Sequence, residues 1–319
     1  MTSTAFIFPG QGAQRVGAGL SLYQSCSTAR RVFEQANEVL EFDLTRLCFE
    51  GPQETLTLTQ NAQPVLFTVS AAALAAVREK GIEAAVALGH SLGEYTALFY
   101  AEAFDFPTAL RLVQKRGKFM GEAAEKAGGT MAAVLGLEDD VVRSIVDEVA
   151  RGRVLTAANF NTPGQVVVSG EAEAVSDACR AADEAGALRT VPLDVGGAFH
   201  SPLMAEAAER MGQELDVTEI RMARVPVIMN ATAKPTRDAD EIREGLKRQV
   251  TTSVRWRESL EKLPELGCSV AVELGSNKLL SGMVRRTVRE VAAYAVHDAD
   301  SLTATVASLK SEKGGECGD

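Results

Sequence analysis

The stretch Glu83-Ala-Ala-Val-Ala-Leu-Gly-His-Ser-Leu-Gly-Glu-Tyr-Thr-Ala-Leu-Phe-Tyr100 decides the fold. Its apolar first part predicts a buried strand over residues 83–88, and the breaker-free run from Glu94 predicts a helix. Between them stands a Gly-x-Ser-x-Gly turn centred on Ser91. Such a turn between a strand and a helix is typical of a nucleophile elbow, which projects the serine hydroxyl. The stretch therefore predicts an α/β fold with Ser91 as a candidate nucleophile.

Buried strands alternate with helices on both sides of this stretch. Short apolar runs predict strands at 4–9, 225–229 and 270–274. Longer runs predict helices at 29–38, 62–80, 202–215, 239–250 and 278–290. This alternation is typical of a mostly parallel sheet that carries helices on its faces.

Residues 127–196 have a different order of predicted strands and helices. Strands are predicted at 130–135, 154–158, 165–169 and 188–195, with helices at 138–150 and 172–185. The order βαββαβ is the ferredoxin-like pattern. The turn-rich residues 159–164 predict a loop between the middle strands. We therefore expect a small subdomain, residues 127–196, inserted into a large domain made of residues 1–126 and 197–319.

Composition excludes several classes of protein. The 319 residues carry 33 Lys and Arg against 43 Asp and Glu, a formal net charge of −10. An acidic chain lacks the basic field that nucleic-acid binding requires. The longest uncharged, mainly apolar stretch, residues 65–77, is shorter than the roughly 20 residues that span a bilayer. We therefore expect neither nucleic acid nor a membrane as a partner.

Cysteine and histidine usage points to a reduced compartment. The five cysteines are scattered without a Cys-x-x-Cys pair, and there are only three histidines. This pattern argues against a disulfide framework and against a metal site. The N-terminus has no basic segment followed by a long apolar run, as a signal peptide would. We expect a cytoplasmic protein with no bound metal or cofactor, and a disordered polar tail at residues 311–319.

A serine nucleophile needs a base within hydrogen-bonding distance, and the three histidines are the candidates. His297 lies near the polar C-terminus, where a surface position is expected. His90 precedes Ser91, so its side chain should point away from the serine. His200 follows a predicted strand where the chain re-enters the large domain, and loops at domain boundaries are favoured catalytic locations. We predict that His200 is the base.

Five motifs occur in a fixed order along the chain. They are Gly10-Gln-Gly12, Gly89-His-Ser-Leu-Gly93, Gln114-Lys-Arg-Gly117, Gly197-Ala-Phe-His200 and Gln249-Val-Thr-Thr-Ser-Val-Arg-Trp256. In this order they resemble the malonyl-CoA:acyl carrier protein transacylase family, and the resemblance covers residues 4–300. It implies an α/β-hydrolase-like core with a ferredoxin-like insert, in agreement with the predicted strand order.

The resemblance also implies an activity. Enzymes of this family are stand-alone acyltransferases of fatty-acid or polyketide synthesis. They move a malonyl group from malonyl-CoA, through a seryl ester, to the phosphopantetheine thiol of an acyl carrier protein. The expected substrates are thus malonyl-CoA and a phosphopantetheinylated carrier protein, and we expect the enzyme to be a monomer.

The family pattern assigns roles to the matching catalytic positions. Ser91 would form the acyl-enzyme, and His200 would accept and return the proton. The backbone amides of Gln11 and Leu92 would form the oxyanion hole. The backbone carbonyl of Gln249 would orient the histidine in place of an acidic third member.

Substrate recognition is assigned by the same resemblance. Arg116 would pair with the free carboxylate of the malonyl group, as the planar guanidinium fork allows. By sequence alone Arg116 would be a solvated helix residue, and only the motif order argues otherwise. Leu92 and Phe199 resemble the malonyl-selective pattern, because a large ring at position 199 leaves little volume for an extra α-methyl group.

Carrier docking is the least specific expectation. Arg285 and Arg286, with Arg289, form the best basic cluster, although such a run is equally typical of a solvated helix face. The chain also departs from the family at Gly275-Ser-Asn-Lys278, where relatives commonly have Gly-Pro-Gly-Lys. This departure removes no catalytic group.

Two other functions remain open at this point. The first is a serine acyl hydrolase, similar to a thioesterase, that acts on carrier-bound acyl groups. Arg116 argues against it, because a hydrolase of uncharged acyl chains gains nothing from a buried cation. The second is a non-catalytic carrier-binding module, against which the intact Ser91, His200 and Gln11 set argues.

Overall fold

The computed structural model describes residues 3–314, and its larger sheet has six strands. In chain order they are β1 (Ser3–Phe8), β2 (Val86–Gly89), β7 (Val227–Ile228), β8 (Pro235–Thr236), β9 (Cys268–Leu274) and β10 (Ala292–Val296). The spatial order is β10-β9-β1-β2-β7-β8. Every neighbouring pair is parallel except β7 and β8, which are antiparallel.

The second sheet is antiparallel and lies between β2 and β7 in the chain. Its strands are β3 (Thr130–Leu135), β4 (Leu155–Thr162), β5 (Gln165–Gly170) and β6 (Arg189–Pro192). Helix α8 (Asp139–Ala150) connects β3 to β4, and α9 (Ala172–Glu184) connects β5 to β6. The strand order β4-β5-β3-β6 with this connectivity is the ferredoxin-like arrangement. The predicted α/β class with a ferredoxin-like insert is therefore confirmed, while the domain boundaries stay a prediction.

The remaining helices surround the larger sheet. They are α1 (Leu20–Ser25), α2 (Ser27–Leu40), α3 (Leu44–Glu50), α4 (Gln53–Thr57), α5 (Thr59–Glu79), α6 (Gly93–Tyr100), α7 (Phe106–Ala127), α10 (Ala205–Val217), α11 (Ala239–Gln249), α12 (Trp256–Glu265), α13 (Leu279–Thr287) and α14 (Ala299–Gly314). A 3₁₀ turn, Pro202–Met204, precedes α10. No described helix combines the length and the apolar character that crossing a membrane requires.

Both faces of the larger sheet are buried, as the apolar strand sequences require. Side chains alternate across a strand, so Phe6 and Phe8 pack into one cluster with α2 and α5. Ala5 and Ile7 point to the other face and pack with Trp256 of α12. Helix α5 is buried along most of its length, as its alanine-rich sequence predicts.

The same alternation gives the small sheet two different faces. Ala132 and Val134 of β3 pack against α8 and α9. Met131 and Ala133 face the opposite side, where they join the cluster of the larger sheet. One face of the small sheet therefore closes its own core, while the other looks onto the large domain.

The predicted loop at residues 159–164 is wrong, because β4 continues to Thr162. The Asn-rich segment is held in a strand from both sides. It pairs with β5 across two register shifts, and Asn159 also forms a parallel bridge to Val254 of the large domain. Backbone hydrogen bonds of 3.0 Å and 2.8 Å on either side of the bridge complete this pairing. A distant segment thus overrides the local turn preference.

Other boundaries differ by shorter margins. Strand β7 has only two residues where five were predicted, and β6 has four where eight were predicted. Helix α13 ends at Thr287, before the predicted residue 290. The tail predicted to be disordered begins inside α14, which continues to Gly314, and residues 315–319 lie outside the described part of the chain.

Candidate active site

The turn between β2 and α6 places Ser91 in a left-handed conformation, with φ of 51°. Such a conformation is uncommon for a residue with a side chain and is typical of a nucleophile elbow. Glycine is required on both sides of it. A Cβ on Gly89 would lie 1.9 Å from the carbonyl carbon of Gly93, and one on Gly93 would lie 2.0 Å from the carbonyl oxygen of Phe8.

His200 lies beside Ser91, 109 residues away in the chain. The Ser91 Oγ and the His200 Nε2 are 2.7 Å apart, and the His200 Nδ1 is 2.8 Å from the carbonyl oxygen of Gln249. A carbonyl oxygen only accepts, so Nδ1 carries the proton and Nε2 is free to accept the serine proton. The backbone carbonyl predicted to orient the histidine therefore has the required geometry.

The environment of His200 keeps the imidazole neutral. Burial and, second, the neighbouring Arg116 cation lower the pKa of His200 to about 3. The group is thus unprotonated throughout the range near neutral pH, as a general base must be before the reaction starts.

Arg116 of α7 is fully buried, contrary to the solvated position that its local sequence favours. Its Nη1 donates to the Gln63 Oε1 at 2.8 Å, and its Nη2 donates to the Gln249 Oε1 at 2.9 Å. The same Nη2 donates to the Ser91 Oγ at 3.1 Å. Its Nε has no hydrogen-bond partner among residues 3–314. All three acceptors are neutral, so this buried cation is available to an anionic group of a ligand.

A cavity of about 350 Å³ opens above these groups. Ser91, Arg116, Phe199 and His200 line it from the large domain. The small sheet contributes alternate residues of its inner face, and α13 contributes Leu279, Leu280 and Met283. The site therefore lies between the two sheets, at the carboxyl ends of the central parallel strands, where ligands of open α/β sheets bind.

The two amides predicted to form the oxyanion hole are not used by the fold. Neither the Gln11 nor the Leu92 backbone N–H donates a hydrogen bond within the described chain. Leu92 stands at the N-terminus of α6, whose dipole favours negative charge.

The side chains of the two predicted selectivity residues lie in different environments. Phe199 lines the cavity, whereas Leu92 is 1% exposed, packs in the core and is not among the lining residues.

Sequence reasoning missed three polar residues of the site. Asn230 follows β7 and accepts from the Ser91 N–H at 2.7 Å while donating to the Gly89 carbonyl at 2.7 Å. Glu94 is buried behind the elbow, and Gln63 supports Arg116. A fourth polar residue, Asn161 of β4, belongs to the Asn-rich segment whose sequence favours an ordinary turn, but it lines the cavity and its Oδ1 is 2.9 Å from the His90 Nε2. The sequence signals that could have identified them are the polar residues Gln63 and Glu94 within apolar helices and the asparagine, Asn230, at the end of a strand.

Arg285 and Arg286 of the predicted docking cluster lie in the last turn of α13, and Arg289 follows the end of the helix; only the earlier residues Leu279, Leu280 and Met283 line the cavity. The Arg285 Nη2 donates to the Ala293 carbonyl at 2.6 Å, and Arg286 is exposed. The neighbouring departure from the family pattern is accommodated by a buried serine. The Ser276 Oγ donates to the Ala13 carbonyl at 2.5 Å and links this loop to the Gln11 segment.

A serine on a strained turn, a buried neutral histidine and two free amides define the class of serine-dependent acyl-transfer enzymes. The family model described as an acyl transferase domain matches residues 5–315, and the chain belongs to this family. Within the described residues, no group of three or more metal-binding side chains accompanies the site.

Two similar proteins carry the same function in their names. The malonyl CoA-acyl carrier protein transacylase of Bacillus subtilis is 44% identical over 313 residues, which are 98% of this chain and 99% of the relative. The Escherichia coli K12 protein of the same name is 39% identical over 307 residues, 96% and 99% of the two chains. The resemblance predicted from the five motifs is confirmed.

Solved structures agree with this assignment. An acyl carrier protein S-malonyltransferase from Vibrio cholerae has a TM-score of 0.92 at 38% identity, with 95% of this chain and 100% of that chain covered. A malonyl-transacylase in complex with its type II polyketide synthase acyl-carrier protein has a TM-score of 0.93 at 38% identity, with 96% and 100% covered.

Proposed function

We propose that this acyltransferase moves a malonyl group from malonyl-CoA to the phosphopantetheine thiol of an acyl carrier protein, through an ester on Ser91. The observation that carries the proposal is Arg116. It is a fully buried cation whose Nη2 lies 3.1 Å from the Ser91 Oγ and donates only to neutral groups. An acyl group with a terminal carboxylate supplies the anion that such a cation lacks.

The first half-reaction follows from the geometry of Ser91. Its Oγ attacks the thioester carbonyl carbon while its proton passes to the His200 Nε2, 2.7 Å away. The Gln11 and Leu92 amides would hold the carbonyl oxygen as it becomes negative. The carbon–sulfur bond then breaks, and the leaving sulfur takes the proton from His200 to give the free CoA thiol.

The second half-reaction reverses these steps with a different thiol. The carrier thiol gives its proton to His200 and attacks the ester carbonyl carbon, and Ser91 leaves and recovers the proton. Arg116 holds the malonyl carboxylate in both steps, so the carbonyl carbon stays over the same oxyanion site.

The carrier and the cellular setting complete the proposal. Arg285 and Arg286 lie on α13, the helix whose earlier residues line the cavity, and they would attract an acidic carrier protein. The enzyme would act as a monomer in the cytoplasm, without a metal or a bound cofactor. Its partners would be the CoA thioester and the carrier protein, not nucleic acid or a membrane.

The experiment that tests this function separates transfer from hydrolysis. Wild-type protein is mixed with malonyl-CoA and a phosphopantetheinylated carrier, and the masses of both proteins are followed. We expect the carrier to gain one malonyl group faster than free malonate appears. Release of malonate with no gain of mass on the carrier would favour the acyl hydrolase instead.

Replacing Phe199 with serine is expected to raise the ratio of kcat/KM for methylmalonyl-CoA to that for malonyl-CoA. The phenyl ring lines the cavity, and the added volume would admit an α-methyl group. Discrimination of one methyl group is worth about 1–3 kcal/mol, so the ratio should change by roughly tenfold or more.

A phenylalanine outside the cavity serves as the control for this ratio. Phe42 is 37% exposed and does not line the cavity, so Phe42→Ser should leave the ratio of the two donors unchanged. An unchanged ratio in Phe199→Ser as well would mean that another residue excludes the α-methyl group.

A further inference from the structure

Glu94 is a fully buried carboxylate that the reaction described above does not use. It lies in the first turn of α6, three residues after Ser91. Its Oε1 accepts from the Asn230 N–H at 2.6 Å, and its Oε2 accepts from the Gln249 Nε2 at 2.5 Å. Because each oxygen faces a donor, the arrangement fits the ionised carboxylate.

The Gln249 side chain connects this carboxylate to the substrate side of the site. Its Nε2 also donates to the Ser91 carbonyl oxygen at 2.7 Å, and its Oε1 accepts from the Arg116 Nη2 at 2.9 Å. The two ends of a carboxamide are chemically different, and only the NH₂ end can face a carboxylate. Glu94, together with the Ser91 carbonyl, therefore determines that the oxygen of Gln249 faces Arg116.

We propose that Glu94 is a positioning residue for recognition of the acyl carboxylate: it fixes the amide of Gln249, which in turn holds the Arg116 guanidinium toward the cavity. This inference rests on the proposed function. The Glu94 carboxylate places a balancing negative charge near Arg116 but forms no direct ion pair with the guanidinium, because the neutral amide of Gln249 lies between the two. A direct ion pair would instead compete with the substrate carboxylate.

Replacing the carboxylate by a carboxamide breaks this order. In Glu94→Gln, the new NH₂ must face either the Asn230 N–H or the Gln249 NH₂, and neither can accept its hydrogen bond. If the Gln249 amide turns to relieve this conflict, its NH₂ faces the Arg116 Nη2, and the Ser91 carbonyl loses its donor. The guanidinium then loses a hydrogen bond that holds it in place.

Protonation of Glu94 would act in the same direction. Burial raises the pKa of Glu94 to about 7, although its hydrogen bonds and the Arg116 charge oppose the rise. The charged and titratable groups near it are Arg116 on α7 and Tyr95 on its own helix, while Asn230 and Gln249 do not titrate. The carboxylate is therefore present above about pH 7 and is lost as the pH falls through that value.

The test compares malonyl-CoA and acetyl-CoA as donors for wild-type and Glu94→Gln protein. Changes in the residues that hold metal ligands in place typically cost about 10–100-fold, and we take the same range for a residue that holds Arg116 in place through Gln249. We expect kcat/KM for malonyl-CoA to fall by about that factor, mainly through KM, while the value for acetyl-CoA falls much less. The donor ratio is kcat/KM for malonyl-CoA divided by kcat/KM for acetyl-CoA. In the wild type this ratio should decrease from pH 8 to pH 6, whereas in Glu94→Gln it should not change with pH.

The donor ratio cancels the ionisation of His200, which both donors share. Glu273 supplies a matched control, because it is also fully buried, burial raises its pKa to about 7, and it accepts from the Ser281 N–H at 2.7 Å. Glu273→Gln should leave the donor ratio and its pH dependence as in the wild type. If Glu94→Gln does not fold, the pH dependence of the wild-type ratio is the measurement that decides.

Three results would contradict the inference in distinguishable ways. If Glu94→Gln lowers kcat/KM equally for both donors, so that the donor ratio keeps its wild-type value, Glu94 only supports the fold. A wild-type donor ratio that is constant from pH 8 to pH 6 would also overturn it. Wild-type protein that accepts no malonyl group at all would contradict the proposed function, and the inference with it.

Discussion

Ser91→Ala protein mixed with malonyl-CoA is expected to keep its unmodified mass, whereas wild-type protein gains the mass of one malonyl group within minutes. The reason is that the Ser91 Oγ is the only hydroxyl within the described chain that contacts both His200 and Arg116. Loss of the nucleophile from a serine–histidine site lowers kcat by about 10⁶. Intact-mass spectrometry measures the adduct directly.

The control for this result is a buried serine that does not line the cavity. The Ser70 Oγ is buried and has no hydrogen-bond partner in the described part of the chain, so Ser70→Ala removes a hydroxyl without removing a hydrogen bond. Ser70→Ala should acquire the adduct at the wild-type rate. Wild-type protein without an adduct would contradict the enzymatic reading, and an adduct on Ser91→Ala would place the nucleophile elsewhere.

Arg116→Ala is expected to lose malonyl loading by about a thousandfold, while acetyl loading falls far less or rises. Removing one partner of a desolvated charge pair costs about 2–5 kcal/mol, and each 1.4 kcal/mol is a factor of ten. The acetyl group has no carboxylate to leave unpaired, so its loading lacks this penalty. The measurement is kcat/KM for the two donors with the same preparations.

Lys115 provides the matched control for Arg116. It is the preceding residue of α7, its side chain is 45% exposed, and its Nζ forms an ion pair with Glu214 at 2.5 Å. Lys115→Ala should leave loading by both donors close to wild type. Equal losses for malonyl and acetyl groups in Arg116→Ala would mean that the buried guanidinium supports the structure and does not select the substrate.

The residues on which these predictions depend have sequence signals of different strength. Ser91 is identified by local sequence, because strand, glycine turn and helix are contiguous and each has its own pattern. His200 follows by elimination, since a chain with three histidines leaves few alternatives. Both conclusions need only the residue types and their neighbours.

Arg116 is different, because nothing near it in the chain predicts burial. It lies between Lys115 and Gly117 on a helix that also carries Lys118, and such a stretch is typical of a solvated face. It is buried because α5 and the end of α11 supply Gln63 and Gln249 as acceptors. Only the family resemblance anticipated its position.

The sequence by itself therefore determined the α/β class, the ferredoxin-like insert, the elbow and the family, because periodicity and contiguous motifs encode them. The tertiary structure alone decided that β4 continues through Asn159 and Asn161, and that Glu94 meets Asn230 and Gln249. These contacts join residues that are 95 to 155 positions apart in the chain. A hydrogen bond between such distant groups leaves no local pattern, since its geometry exists only after the strands and helices have packed.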